Sequence, residues 1–120
     1  MAEINLERSD LIESNKETIS RLAEEHGYER VNSLTDLDLT DEEIGRIRHT
    51  RHGNDSNRAY FTSQREDGSK VKVIIQALPN RYIAADIFSP AYSYNPAGNN
   101  DWLDVEFTQA LDYALTAPAK

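Results

Sequence analysis

Cysteine is absent from the 120-residue chain. That removes a disulfide framework, a thiolate metal site and a cysteine nucleophile, and it suits a reducing compartment, so a cytoplasmic location is expected. No apolar run approaches the ~18 residues that a membrane span needs. The N-terminal Met1-Ala2-Glu3-Ile4-Asn5 has neither a basic n-region nor an apolar h-region, so neither a membrane protein nor a Sec-exported one is expected. Large apolar residues are scarce as well. Leu, Ile, Val and Phe supply 26 of 120 residues, just above the ~20% level below which high charge accompanies disorder. The chain is expected to fold as a single domain, residues 1–120, on a modest core. Positive charge is the remaining shortage: 13 Lys and Arg stand against 21 Asp and Glu, for a net charge of -8.

That charge is unevenly placed. Residues 1–43 carry 13 acids and 4 bases, residues 44–85 carry 3 acids and 8 bases, and residues 86–120 carry 5 acids and one base. A chain polarised in this way either steers partners of opposite sign or neutralises its own blocks by packing them together.

No internal repeat or low-complexity tract divides the chain. A first helix is predicted over Ser9 to His26, with Ser9 as N-cap, Asp10 and Glu13 in the first turn and Gly27 as the left-handed stop. Leu11, Ile12, Ile19, Leu22 and Ala23 share its apolar face at 100° per residue. Residues 28–39 read as a packed connector, anchored by Tyr28, Val31, Leu34, Leu37 and Leu39, with a short helical turn opened by Ser33 or Thr35. Thr40-Asp41-Glu42-Glu43 matches a capping box and predicts a second helix running to about His52, weakened at Gly45.

Three strands are predicted next. They cover Asn57–Gln64, Lys70–Leu78 and Arg81–Phe88, joined by turns at Glu66-Asp67-Gly68-Ser69 and at Pro79-Asn80. A loop at 89–100 then leads to a last helix, capped by Asn100 or Asp101, with Leu103, Phe107, Ala110, Leu111 and Ala114 on one face. The expected fold is α+β: a three-stranded antiparallel meander with the N-terminal helices and the C-terminal helix packed on one face, in the order α-α-β-β-β-α.

The strongest functional pointer is an acidic stripe. On the first helix Asp10, Glu13, Glu17 and Glu24 fall within about 60° of arc, at axial spacings of roughly 4.5, 6 and 10 Å. Asp36, Asp38, Asp41 and Glu42 extend the acidic half of the chain. Such stripes are commonly solvated faces. Only Arg21 interrupts this one, whereas an ordinary solvated helix more often alternates signs for i,i+4 pairing.

Other constellations carry less. Arg46, Arg48, His49, Arg51, His52 and Arg58 form a basic run that suits phosphate or nucleic acid. A helix opening on acids and closing on bases accounts for the run better, through its own dipole. His49, His52 and Asp55 have the spacing of a metal site, but the flanking arginines disfavour a divalent cation, and no metal is expected. His26, on the apolar side of the first helix, reads as a packed or dipole-capping residue. Asp86 alternates with Tyr82, Ala84 and Phe88 on one strand face. If that face is covered, Asp86 needs a partner, with Arg58 and Lys72 the nearest candidates. Tyr92 and Tyr94, on a loop with Pro96, Gly98, Asn99 and Asn100, have the composition of a contact loop. No G-x-S-x-G, H-E-x-x-H, P-loop or G-x-G-x-x-G pattern occurs.

The expectation is a small acidic protein that is not an enzyme, takes no cofactor and occupies a basic partner surface. It would act as a DNA mimic, an inhibitor or an immunity-type protein on a nuclease or nucleic-acid-binding protein. The contact residues expected are Asp10, Glu13, Glu17, Glu24, Asp36, Asp38, Asp41 and Glu42, with Tyr92 and Tyr94. Direct nucleic-acid binding is not expected, and a monomer is slightly favoured. Two alternatives stand beside it: a dimeric chaperone or adaptor using an open sheet face and the tyrosine loop, and a phosphate- or nucleic-acid-binding module centred on Arg46–Arg58.

Overall fold

The computed structural model describes residues 17–50, 58–77, 83–90, 93–98 and 102–118. The first helix, α1, is described over residues 17–25; its expected start at Ser9 lies outside the described residues. It ends as the sequence predicts, at Gly27 with φ +87°. The Gly27 N–H donates to the Glu24 carbonyl and the Tyr28 N–H to the Ala23 carbonyl. This crossed pair satisfies the last helical carbonyls and turns the chain into the sheet. Tyr28 is buried there, and its hydroxyl donates to the Leu111 carbonyl at 2.8 Å.

The connector holds more order than its sequence suggests. Glu29–Val31 form a short strand, β1, before a 3-10 turn at Thr35–Leu37. The capping box forms in full: Thr40 Oγ1 accepts from the Glu43 N–H while the Glu43 carboxylate accepts from the Thr40 N–H. The helix it opens, α2, spans only Asp41–Gly45, where the sequence pattern predicts continuation toward His52. The helix stops early because the N–H groups of Arg48, His49 and Thr50 bond to the carboxylate of Asp86 instead of to carbonyls one turn back.

The expected meander is the centre of the sheet: β2 (Arg58–Gln64), β3 (Lys70–Ala77) and β4 (Ile83–Phe88), each antiparallel to the next. Three short strands enlarge it. β1 lies outside β2, while β5 (Ser93–Tyr94) and β6 (Ala97–Gly98) both pair with β4 on its free edge. The two share one register, which Asn95-Pro96 interrupts, and the Ala85 N–H donates to the Pro96 carbonyl at 2.9 Å. Proline is tolerated there because an edge strand need not donate outward.

Pairing sorts the side chains into two faces. Phe61, Val73 and Ile87 stand in one cross-strand row with Tyr94; Tyr60, Ile74 and Asp86 stand in the next, on the opposite face. The first face carries the main core, in which Ile19, Leu22 and Ala23 of α1 meet Phe61, Val71, Val73, Ile75, Ile83 and Ile87. The last helix closes it. A π-helical turn at Leu103–Phe107 runs into α3, Thr108–Thr116, and all five residues predicted for its apolar face are buried. The widened turn brings Trp102 over Phe107, edge to face at 5.7 Å. Gly98 permits this approach, since a Cβ there would lie 2.6 Å from Trp102 Cδ1.

The α+β class, the meander and the terminal helices thus match the sequence pattern. The layering differs from a single covered face. Leu37 and Ile47 pack on Tyr60, Ile74 and Phe88, with Val31, Leu34 and Leu39 around them, so segment 31–47 covers the second face. The apolar anchors spaced along the connector are the physical reason. They need a surface, and the alternate residues of β2–β4 provide one.

Candidate functional site

Most of the described acids fall into two sets on opposite sides of the sheet. α1 and the last helix lie together on the first face. Glu17, Glu24 and Glu25 of α1, with Glu106 and Asp112 after Trp102, are all exposed. Seven residues are nearly two full turns, so Glu17 and Glu24 align, about 10 Å apart along the axis. The only Lys or Arg within residues 17–25 and 102–118 is Arg21. Asp112 meets His26 Nδ1 at 2.7 Å, which ties the end of α1 to α3. Asp10 and Glu13 lie outside the described residues.

Asp36, Asp38, Asp41 and Glu42, also exposed, belong to the segment that covers the second face. They therefore do not extend the α1 stripe, and bases accompany them. Arg46 meets Glu42 at 2.5 Å, and Lys72 Nζ bonds both the Glu43 carboxylate (2.8 Å) and the Asp38 carbonyl (2.9 Å). Burial would raise the Glu43 carboxyl. The hydrogen bonds from Lys72 and Thr40, with the Lys72 charge, outweigh it and hold Glu43 below its ordinary value. The second acidic set is thus partly neutralised by two ion pairs with Arg46 and Lys72; on the helical side Asp112 meets His26, and Arg30 lies beside α1 with its Nη1 donating to Ser20 Oγ at 3.4 Å.

Tyr94 is 40% exposed and lies opposite Ile87, which puts it on the side of the acidic helices. Tyr92 lies outside the described residues. Val105 and Tyr113 add exposed apolar area to the last helix, at 54% and 58%. Glu106, Asp112 and these two residues were missed by the charge argument, because an acidic last helix without bases gives no periodic stripe. Their signal was the bare asymmetry of residues 86–120.

Asp86 forms the second polar centre. It is fully buried, among Ile74, Tyr60 and Phe88, and meets neither Arg58 nor Lys72. Its carboxylate accepts from the N–H groups of Arg48 (3.1 Å), His49 (3.2 Å) and Thr50 (3.0 Å), from Thr50 Oγ1 (2.6 Å) and from Asn95 Nδ2 (2.5 Å). Five converging donors replace the counter-ion, as a nest of amides does for a bound anion. His49 Nε2 lies 2.9 Å from the Asn95 carbonyl, which only accepts, so that nitrogen carries the proton. The network joins the strand edge to the loop after α2. With no exposure, Asp86 meets no outside molecule.

Within the described part of the basic run, Arg48 and His49 are exposed. Arg46 is paired with Glu42, and Arg58 is buried. Arg51, His52 and Asp55 lie outside the described residues, which hold no group of three or more His, Asp and Glu placed to share a metal ion. The sheet face that an adaptor would offer is the one covered by Leu37 and Ile47. No described helix is long and apolar enough to cross a membrane. Comparison with known proteins finds no matching family, no matching curated protein and no matching solved structure.

Proposed function

We propose that this protein binds a basic partner surface, that of a nuclease or another nucleic-acid-binding protein, through the outward faces of α1 and the last helix. One observation carries the reading: five exposed carboxylates, Glu17, Glu24, Glu25, Glu106 and Asp112, share this side with two exposed arginines, Arg21 of α1 and Arg30 beside it. Such a surface imitates a row of phosphates without being a nucleic acid. Its field accelerates encounter with a cationic protein and weakens with salt, since screening acts over ~10 Å at 0.1 M. Val105, Tyr113 and Tyr94 supply the apolar and aromatic area that turns a charged encounter into a stable contact. Inhibition of a nucleic-acid-binding protein in the cytoplasm fits this surface and the absence of cysteine.

The test is capture at low salt on the tagged protein, with elution by a salt gradient, beside a Glu17→Lys/Glu24→Lys variant. The expected result is a basic nucleic-acid-binding protein that elutes as salt rises and is not held by the variant. Equal capture by the variant, with both proteins folded by circular dichroism, overturns the reading. So does direct binding of DNA or RNA by the wild-type chain at physiological salt.

A further inference from the structure

A cavity of about 500 Å³ opens between the β2–β3 turn and the last turn of α3, lined by Gln64, Arg65, Glu66, Asp67, Leu115 and Thr116. Its volume lies within the range of about 300–1,000 Å³ usual for small-ligand sites. Arg65 is the buried member of that wall, at 9% exposure. Two of its three nitrogens are committed to the end of α3: Nη1 donates to the Ala114 carbonyl at 2.5 Å and Nη2 to the Ala117 carbonyl. Nε is buried and has no acceptor, the one polar atom of the wall in that condition. An N–H taken out of water loses its hydration, and only an acceptor restores what is lost. Few buried donors are left so, and an oxygen from outside the chain is one remedy.

The rest of the wall decides which oxygen fits. Leu115 is packed against the main core and presents an apolar side. Glu66 and Asp67 are both exposed at the rim. Asp67 Oδ1 accepts from the Ser69 Oγ (2.5 Å) and the Ser69 N–H (2.9 Å). Those bonds, with the Arg65 charge, hold the Asp67 carboxyl below its ordinary value, so Asp67 is an anion within the field of the guanidinium. An incoming carboxylate or phosphate therefore meets two negative charges beside the one positive. A cation brings no acceptor for the orphan N–H. An uncharged carbonyl satisfies that donor, escapes the repulsion and carries an aliphatic group for Leu115. Among uncharged carbonyls the carboxamide accepts best, because its nitrogen lends electron density to the oxygen.

We infer that the cavity between the β2–β3 turn and α3 binds an uncharged carboxamide, its oxygen accepting from Arg65 Nε and its aliphatic part against Leu115. The site needs neither the α1 carboxylates nor a basic partner, so it stands or falls separately from the helical surface.

The test uses the full chain and reads the Arg65 Nε–H resonance directly, with the backbone N–H groups of 64–69 and 115–117 beside it. Three probes share one branched stem and differ in charge: isobutyramide, isobutyrate and isobutylammonium. A saturable shift of the Nε–H is expected with isobutyramide, and none with the other two. N-acetylleucine N-methylamide offers the same carbonyl in peptide form. Binding tighter than that of isobutyramide assigns the site to a peptide chain and weaker binding assigns it to a small carboxamide; either supports the site.

Arg65 ties α3 to the β2–β3 turn, so the variant is placed at the rim. In Glu66→Gln/Asp67→Asn the amide oxygen at position 67 still accepts from Ser69. The repulsion is gone, so isobutyrate should bind this variant at least roughly tenfold more tightly than the wild type, while isobutyramide keeps its affinity. An Nε–H unmoved by saturating carboxamide, as when water alone bonds it, overturns the inference. So does isobutyrate or isobutylammonium binding the wild type as tightly as isobutyramide, or a folded double variant that gains no affinity for isobutyrate.

Discussion

Replacing Asp86 with alanine strips the acceptor from five donors at once: three consecutive N–H groups, the Thr50 hydroxyl and the Asn95 amide. A hydrogen bond to a charged group contributes about 1.5–3 kcal/mol, and each buried donor left alone costs about 1–3 kcal/mol. The terms do not simply add, because the loop at 46–50 can open and admit water. Removing Asp86 leaves neutral donors and no uncompensated charge, so the loss should exceed that of one such bond and fall short of the sum, at about 3–5 kcal/mol. It is a large share of the ~5–15 kcal/mol available to a domain. Urea unfolding measures it, followed by far-UV circular dichroism and by the fluorescence of Trp102, the only tryptophan, which is buried against Phe107. At a urea dependence of about 1–3 kcal/mol per molar, the midpoint should fall by roughly 2 M. Thr50→Val removes a single donor and should cost only about 1–2 kcal/mol. A cost below about 1 kcal/mol for Asp86→Ala, or an equal cost for both variants, would refute the account of Asp86 as the acceptor that ends α2 and holds its loop to the sheet.

Three further outcomes follow from the same geometry. Thr40→Ala removes the capping box of α2 and should cost about 1 kcal/mol by urea unfolding. Gly98→Ala drives a Cβ into the Trp102 ring and should cost about 1–3 kcal/mol, with a shift of the tryptophan emission maximum. Because the Glu43 carboxyl is held below its ordinary value, its pairing with Lys72 stabilises the fold above the carboxylate range and is lost as pH falls through the lowered value. Melting temperature should therefore drop between about pH 5 and pH 3 in the wild type. Lys72→Met should have a lower melting temperature at pH 7 and a smaller drop on acidification.

Much of the fold is legible in the sequence because local signals there agree with packing. Gly27 closes α1 as its position after an amphipathic run predicts, and Thr40 to Glu43 form both bonds of their box. The alternation of Val71, Val73 and Ile75 puts all three in the core. The features that escape depend on contacts distant in sequence. Nothing in 46–52 says that three N–H groups will turn to a carboxylate in a strand 36–38 residues away, so the helix is overextended by pattern alone. The same blindness hides β1, whose pairing with β2 spans a gap of about thirty residues. It also hides the covering of the second sheet face by Leu37 and Ile47.

For the site, the excess of acid is visible in composition, but its division is not. Residues 17–25 and 36–43 are near in sequence, yet strand parity sends them to opposite faces. The bases that meet the second set, Arg46 and Lys72, stand on different elements.

Contact of the helical face with a basic partner, as proposed, sets a rate that depends on charge. The most direct measurement is the association rate of the captured partner with wild type and with Glu17→Lys/Glu24→Lys/Glu106→Lys, across a salt series. The rate should fall at least roughly tenfold in the variant at low salt, with the two rates converging as salt rises. Equal rates and an equal salt slope for the two folded proteins would contradict it.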